Sequence, residues 1–191
     1  QLPQVRTQER SVFLTADRGS FLQVGDRLLA FNCTKGYTSW PVAAETIAKS
    51  IGSFGEVVPF DNLRRIGLRY LNRIEIPRAQ IGLEDYFDYR PSLGPNLPQN
   101  LDKVHVACLI PFEDGRDVCH LKLLTAPDQS PETDEGSSCA FILDIDYFLA
   151  LSDGVPRDSA MEWVHNAHGH VEEVFEGCLK DPLRVLFEEV K

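Results

Sequence analysis

Four arginines, Arg64, Arg65, Arg69 and Arg73, fall within ten positions of a chain in which 29 acids outnumber 19 lysines and arginines. Guanidinium groups set close together can cradle a phosphate, a nucleotide or an acidic peptide, because each offers a planar fork of donors. Arg69 and Arg73 are separated by four residues, so on an extended strand they project from one face, with Tyr70 and Asn72 beside them. The polar face of a curved sheet is a usual place for a ligand. Two acids, Asp144 and Asp146, occupy alternate positions of a second apolar run and share a face in the same way. Such a pair can serve as general acid and base. It can equally be two outward-facing carboxylates, and then Arg69 and Arg73 pair across the sheet with Glu75, Asp144 and Asp146. The pairing reading is the preferred one. Under the ligand reading, the binding residues are Arg69, Asn72, Arg73, Asp144 and Asp146.

A second constellation lies near the end of the chain. Glu162, His165, His168 and Glu172 are spaced by three, three and four residues, which keeps them on one arc of a helix. His165 and His168 with Glu172 offer ligands of the type that hold a divalent metal, although the spacing is permissive rather than diagnostic. The plainer reading is a solvated helix face opposite the Val164, Ala167 and Val171 stripe, and no metal or other cofactor is expected. No glycine-rich phosphate loop, Gly-x-Ser-x-Gly elbow or His-Glu-x-x-His appears. The five cysteines include no Cys-x-x-Cys pair, and Cys108, Cys119 and Cys139 sit inside apolar runs. That pattern suits small reduced core residues rather than a zinc site, a disulfide framework or a catalytic thiol.

These residues need elements to position them. Segments 11–17 and 21–33 are rich in Phe, Leu and Val around Asp17-Arg18-Gly19-Ser20, and predict a hairpin. Ser39 and Pro41 open a helix whose apolar residues run from Ala43 to Ile51, ending at Gly52. The run from Ile66 to Ile76 alternates, with Ile66, Leu68, Tyr70, Ile74 and Ile76 on one face, and stops at Pro77, which makes it a strand with Arg69, Arg73 and Glu75 on its polar face. Four prolines between Asp88 and Asn100 predict a connection without regular structure. Segments 104–110 and 118–125 flank Asp114-Gly115 as a second hairpin, residues 128–138 form an acidic loop, and Cys139 to Phe148 is a further strand. Ser159 with Glu162 fits a capping box at the start of a long helix, and Asp181-Pro182 starts a short closing helix over 183–190. The expected architecture is a single α+β domain over 1–191, an antiparallel sheet with helices on one face. Its two strand-helix halves, 1–87 and 101–191, are joined by the Pro-rich connection 88–100.

The formal charge is −10 and the pI about 4.9, which argues against a nucleic-acid partner by bulk charge. No apolar run reaches the length of a membrane span, and a cytoplasmic location with no membrane association is expected. The chain starts at Gln1, with no initiating Met and no apolar leader, so a natural start there is not expected.

The segment Arg65 to Pro77 resembles a sporadically distributed family of bacterial and archaeal proteins without an assigned activity. The family's hallmark is a Gly-x-Arg-Tyr-x-Asn-Arg-Ile strand ending in proline, here Gly67-Leu68-Arg69-Tyr70-Leu71-Asn72-Arg73-Ile74. Tyr37 and Trp40, Leu83 to Phe87, Leu143 to Asp146, His165, Phe175-Glu176 and Leu183-Arg184 resemble further family segments. The resemblance implies an α+β fold and a patchy distribution typical of mobile or defence-associated genes, and it brings no catalytic residues. It also implies that a strand and helix of the family precede the present start. In that case Phe13, Phe21, Leu28 and Phe31 are partly exposed and a symmetric dimer covers them. The functional expectation is a non-enzymatic interaction module with a protein partner or a second copy, within a bacterial defence or toxin-related system. The alternative is a nucleotide- or phosphate-binding protein or hydrolase that uses the arginine-bearing face.

Overall fold

The computed structural model describes residues 9–78, 80–99, 101–127, 138–151 and 153–187. The acidic loop expected over 128–138 lies, but for its last residue, outside them, as do residues 188–190 of the closing helix expected over 183–190. That helix runs over Asp181–Arg184 and gives way to a turn and bend at 185–187. The fold is α+β, and the chain divides into two units, Gln1–Asn62 and Leu63–Lys191.

The first unit is an antiparallel meander followed by a helix. Strand β1 (Arg10–Leu14) pairs with β2 (Ser20–Gly25), and β2 with β3 (Leu28–Cys33). The expected hairpin thus has three strands, because a second turn at Asp26-Arg27 folds its longer arm in two. The first turn is built by side chains: Thr15 donates its hydroxyl to Asp17 at 2.5 Å, and Asp17 accepts the Gly19 N–H at 3.0 Å. Glycine is required at position 19. Its carbonyl accepts from the N–H groups of Thr34 and Lys35, and a Cβ there would lie 2.7 Å from the Lys35 carbonyl oxygen. Phe13 is exposed, while Phe21, Leu28 and Phe31 are half-buried. Helix α1 (Trp40–Val57) begins where Ser39 and Pro41 place it, although the Ser39 hydroxyl makes no cap. It passes through Gly52 instead of ending there. A glycine costs a helix interior only about 1 kcal/mol, and the added turn brings Phe54 onto Phe60, with ring centroids 5.9 Å apart.

The second unit holds a four-stranded antiparallel sheet in the order β5-β8-β7-β6: β5 (Gly67–Ile76), β6 (His105–Phe112), β7 (Asp117–Thr125) and β8 (Cys139–Leu149). Two-residue strands β4 (Asn62–Leu63) and β9 (Val155–Pro156) complete the set. Strand β5, expected to close the first half, pairs along all ten of its residues with β8. The division of the chain therefore falls at 62/63 and not in the connection 88–100, whose described residues 88–99 carry no helix or strand, as expected. Helix α3 (Ala160–Cys178) packs on β5 and β8, burying Trp163, Val164, Ala167 and Val171 against Ile74, Leu143, Ile145 and Tyr147. The capping box does not form. A single 3-10 turn at Arg157–Ser159 leads into α3, so Ser159 already has near-helical backbone angles and its hydroxyl makes no cap. Short helices α2 (Leu83–Tyr86) and α4 (Asp181–Arg184) meet beside a bridge between Phe87 and Leu179.

Candidate functional site

Alternation on the strands gives the sheet two unlike faces. Phe141, Leu143, Ile145 and Tyr147 of β8 turn toward α3, and Ile142, Asp144, Asp146 and Phe148 turn away from it. The registers then compose the outer face row by row. One row runs Arg69, Asp146, His120, Leu109; the next Leu71, Asp144, Lys122, Ala107; the third Arg73, Ile142, Leu124, His105. The edge strands expose their members of these rows, with Leu71 at 63% and Leu109 at 64% of their full accessibility. The result is an open sheet face of apolar residues around a charged centre.

That centre is a closed ion cluster. Arg69 donates from Nε and Nη2 to the two oxygens of Asp144 at 2.7 and 2.8 Å, and Lys122 Nζ donates to Oδ2 at 3.0 Å. Asp144 is 3% exposed despite its place on the outer face. Burial pushes its carboxyl upward, but the hydrogen bonds and charges of Arg69 and Lys122 outweigh this and hold it below the ordinary aspartate value. Arg69 therefore reaches past its register partner, Asp146, to the acid in the neighbouring row. Asp146 makes no hydrogen bond or ion pair among the described residues and is half-buried. Arg73 is engaged by Glu75 at 2.9 Å on the same strand.

Asn72 does not belong to this face. As an even-numbered residue of β5 it lies with Tyr70 on the helix side, where its amide donates to the Leu143 carbonyl at 3.3 Å. The five residues of the ligand reading therefore separate into a closed Arg69–Asp144 pair, an uncommitted Asp146, an Arg73–Glu75 pair and an Asn72 on the other side of the sheet.

The helix-borne ligand set is likewise divided. His165 and Glu172 are exposed, whereas His168 leans toward the sheet, its Nδ1 lying 3.3 Å from the Tyr70 hydroxyl. Burial pulls the His168 imidazole below its ordinary value, Glu172 opposes that, and His165 adds to it. Thus the arc expected to be wholly solvated has one member turned inward. Among the described residues no three His, Cys, Asp or Glu side chains come together as a metal site. Burial pushes the Cys119 and Cys178 thiols up to about 12, the direction that disables a thiolate nucleophile.

Two features lie beyond the sequence reading. His120 and Lys122 join the open face through β7, where their alternation with Cys119, Leu121 and Leu123 was the available signal. Asp117, which the sequence did not single out, is 1% exposed and accepts hydrogen bonds from four donor atoms of three side chains. Trp163 Nε1 lies at 3.1 Å, the Tyr147 hydroxyl at 3.3 Å, and Arg116 Nε and Nη2 at 3.1 and 2.5 Å. This buried acid ties α3 to the sheet. Beside it His170 lies flat on Tyr147, with ring centroids 5.4 Å apart, and pairs with Glu113 at 3.1 Å.

Compared with family models, curated proteins and solved structures, the chain matches none. Among the described residues no helix is long and apolar enough to cross a membrane.

Proposed function

We propose that the chain is a non-enzymatic binding module whose open sheet face engages a protein partner. The observation that carries this reading is the exposure of Leu71 and Leu109, each nearly two-thirds exposed, on the two edge strands of the face that α3 leaves uncovered. Apolar side chains gathered on one open face, here with half-buried Val118, Leu124, Ile142 and Phe148 on the two middle strands, mark a protein contact. The alternative of an anion-binding site or hydrolase has less support, because Arg69 and Arg73 each already hold a carboxylate. A phosphate or nucleotide would have to displace one. From the strand motif, we further propose a bacterial defence or toxin-related system as the setting.

The test is affinity capture with the native chain and with a Leu71→Asp/Leu109→Asp variant, both checked for native far-UV circular dichroism. A partner retained by the first and lost by the second supports the reading. A partner held equally by both defeats it. A specific thermal shift with inorganic phosphate or a nucleotide, removed by Arg69→Ala, would favour the alternative.

A further inference from the structure

Resting on the docking face just proposed, we infer that its occupant presents an Arg or Lys side chain flanked by apolar ones, and that Asp146 is the anchor for that charge. The argument begins with the unequal treatment of two neighbouring acids. Asp144 has three charged hydrogen bonds and almost no exposure. Asp146, two residues on and on the same face, has no hydrogen bond or ion pair among the described residues, and the arginine directly opposite it has turned its donors to Asp144 and acts on Asp146 only through its charge. Its cross-strand neighbour on the other side is His120, also half-buried and without a hydrogen bond among the described residues. Above and below this row lie apolar side chains, Phe148 and Val118 in one direction and Ile142 and Leu124 beyond Asp144 and Lys122 in the other.

Any protein segment laid over these apolar groups removes Asp146 from water. A buried unpaired carboxylate is strongly unfavourable, so a neutral or acidic partner would be rejected at the centre of its own contact. A guanidinium or ammonium group placed there converts the penalty into a charged hydrogen bond, while its apolar neighbours cover Leu71 and Leu109. The formal charge of −10 draws a basic segment from a distance and repels a second copy of this chain. Chemistry at the site and the field of the whole chain therefore select the same partner.

Fluorescence anisotropy on the full chain tests this with labelled peptides of about eight residues, roughly a strand in length. They share alternating Leu and Thr flanks and differ only in a central Arg, Lys, norleucine or Glu. The Arg and Lys peptides are expected to bind at least about tenfold more tightly than the norleucine and Glu peptides. Asp146→Asn, which removes no existing bond and keeps the native unfolding midpoint, should reduce that preference to under about threefold. Leu71→Asp/Leu109→Asp should abolish binding of all four. Equal binding of the Glu peptide, an unchanged preference in Asp146→Asn, or no binding by any peptide overturns the inference. If all four bind equally and the leucine variant loses them all, the docking face stands and only the basic anchor fails. If the leucine variant binds as the native chain does, the docking face fails as well. Self-association seen by sedimentation and removed by the leucine variant would make a second copy the occupant and overturn the basic segment.

Discussion

Asp144 and Asp117 are acids taken out of water and compensated in full, one by two cations and the other by an arginine and two aromatic donors. Removing such an acceptor strands its donors, so Asp117→Ala should lower stability by about 3–5 kcal/mol, read from the urea unfolding midpoint. Trp163 loses its hydrogen-bond acceptor in the same variant, and its fluorescence should report the change. For Asp144 the consequence also depends on pH. Its folded-state carboxyl lies below the ordinary value, so the stabilisation is complete above the unfolded-state value of about 4 and is lost as pH falls through the folded-state value. Asp144→Asn should therefore cost about 1–3 kcal/mol at neutral pH and show a shallower loss of stability than the native chain between about pH 5 and pH 3. A variant with the native acid slope would show that the ion cluster contributes nothing.

The elements impose different demands on glycine at two places. In the turn between β6 and β7, Glu113, Asp114 and Gly115 all adopt positive φ, at 48°, 54° and 87°. Nothing lies within 4 Å of a Cβ built on Gly115, so Gly115→Ala should cost about 1–2 kcal/mol through backbone conformation alone. Gly169, in the middle of α3, also has open space around a built Cβ but has helical backbone. Gly169→Ala should accordingly stabilise the protein by about 0.5–1 kcal/mol. Thermal unfolding of the two variants distinguishes the cases by sign. A stabilising Gly115→Ala would mean that the turn relaxes out of the left-handed region.

At the scale of the whole molecule, the apolar core is distributed very unevenly. Among the described residues before position 63 Ala44 alone is a buried hydrophobic residue, whereas the sheet and α3 of the second unit bury the large aliphatic and aromatic side chains. Apolar burial is the main term opposing conformational entropy. A fragment of residues 63–191 should therefore fold alone with a cooperative urea transition, and a fragment of residues 1–62 should not. Hydrogen exchange on the intact chain should show the same order, with amides of β7 and β8 protected far longer than those of β1. Equal protection in both units would contradict the assignment of stability to the second.

Strand positions and sheet faces were legible in the chain itself. Alternation over Gly67–Ile76 and Cys139–Leu149 determines which residues point which way, because an extended backbone sends successive side chains to opposite sides. The α+β class and the irregular 88–99 connection follow from equally local signals. Local signals do not say which strands become neighbours or how far a helix continues past a glycine. Only the tertiary structure placed β8 between β5 and β7, and so set Arg69 and Lys122 around Asp144 while leaving Asp146 without a hydrogen bond or ion pair among the described residues. The two acids are equivalent in sequence, two residues apart on one face. They differ because cross-strand register and the reach of long side chains are decided by partners some 20 and 75 residues away, beyond the range of any local pattern.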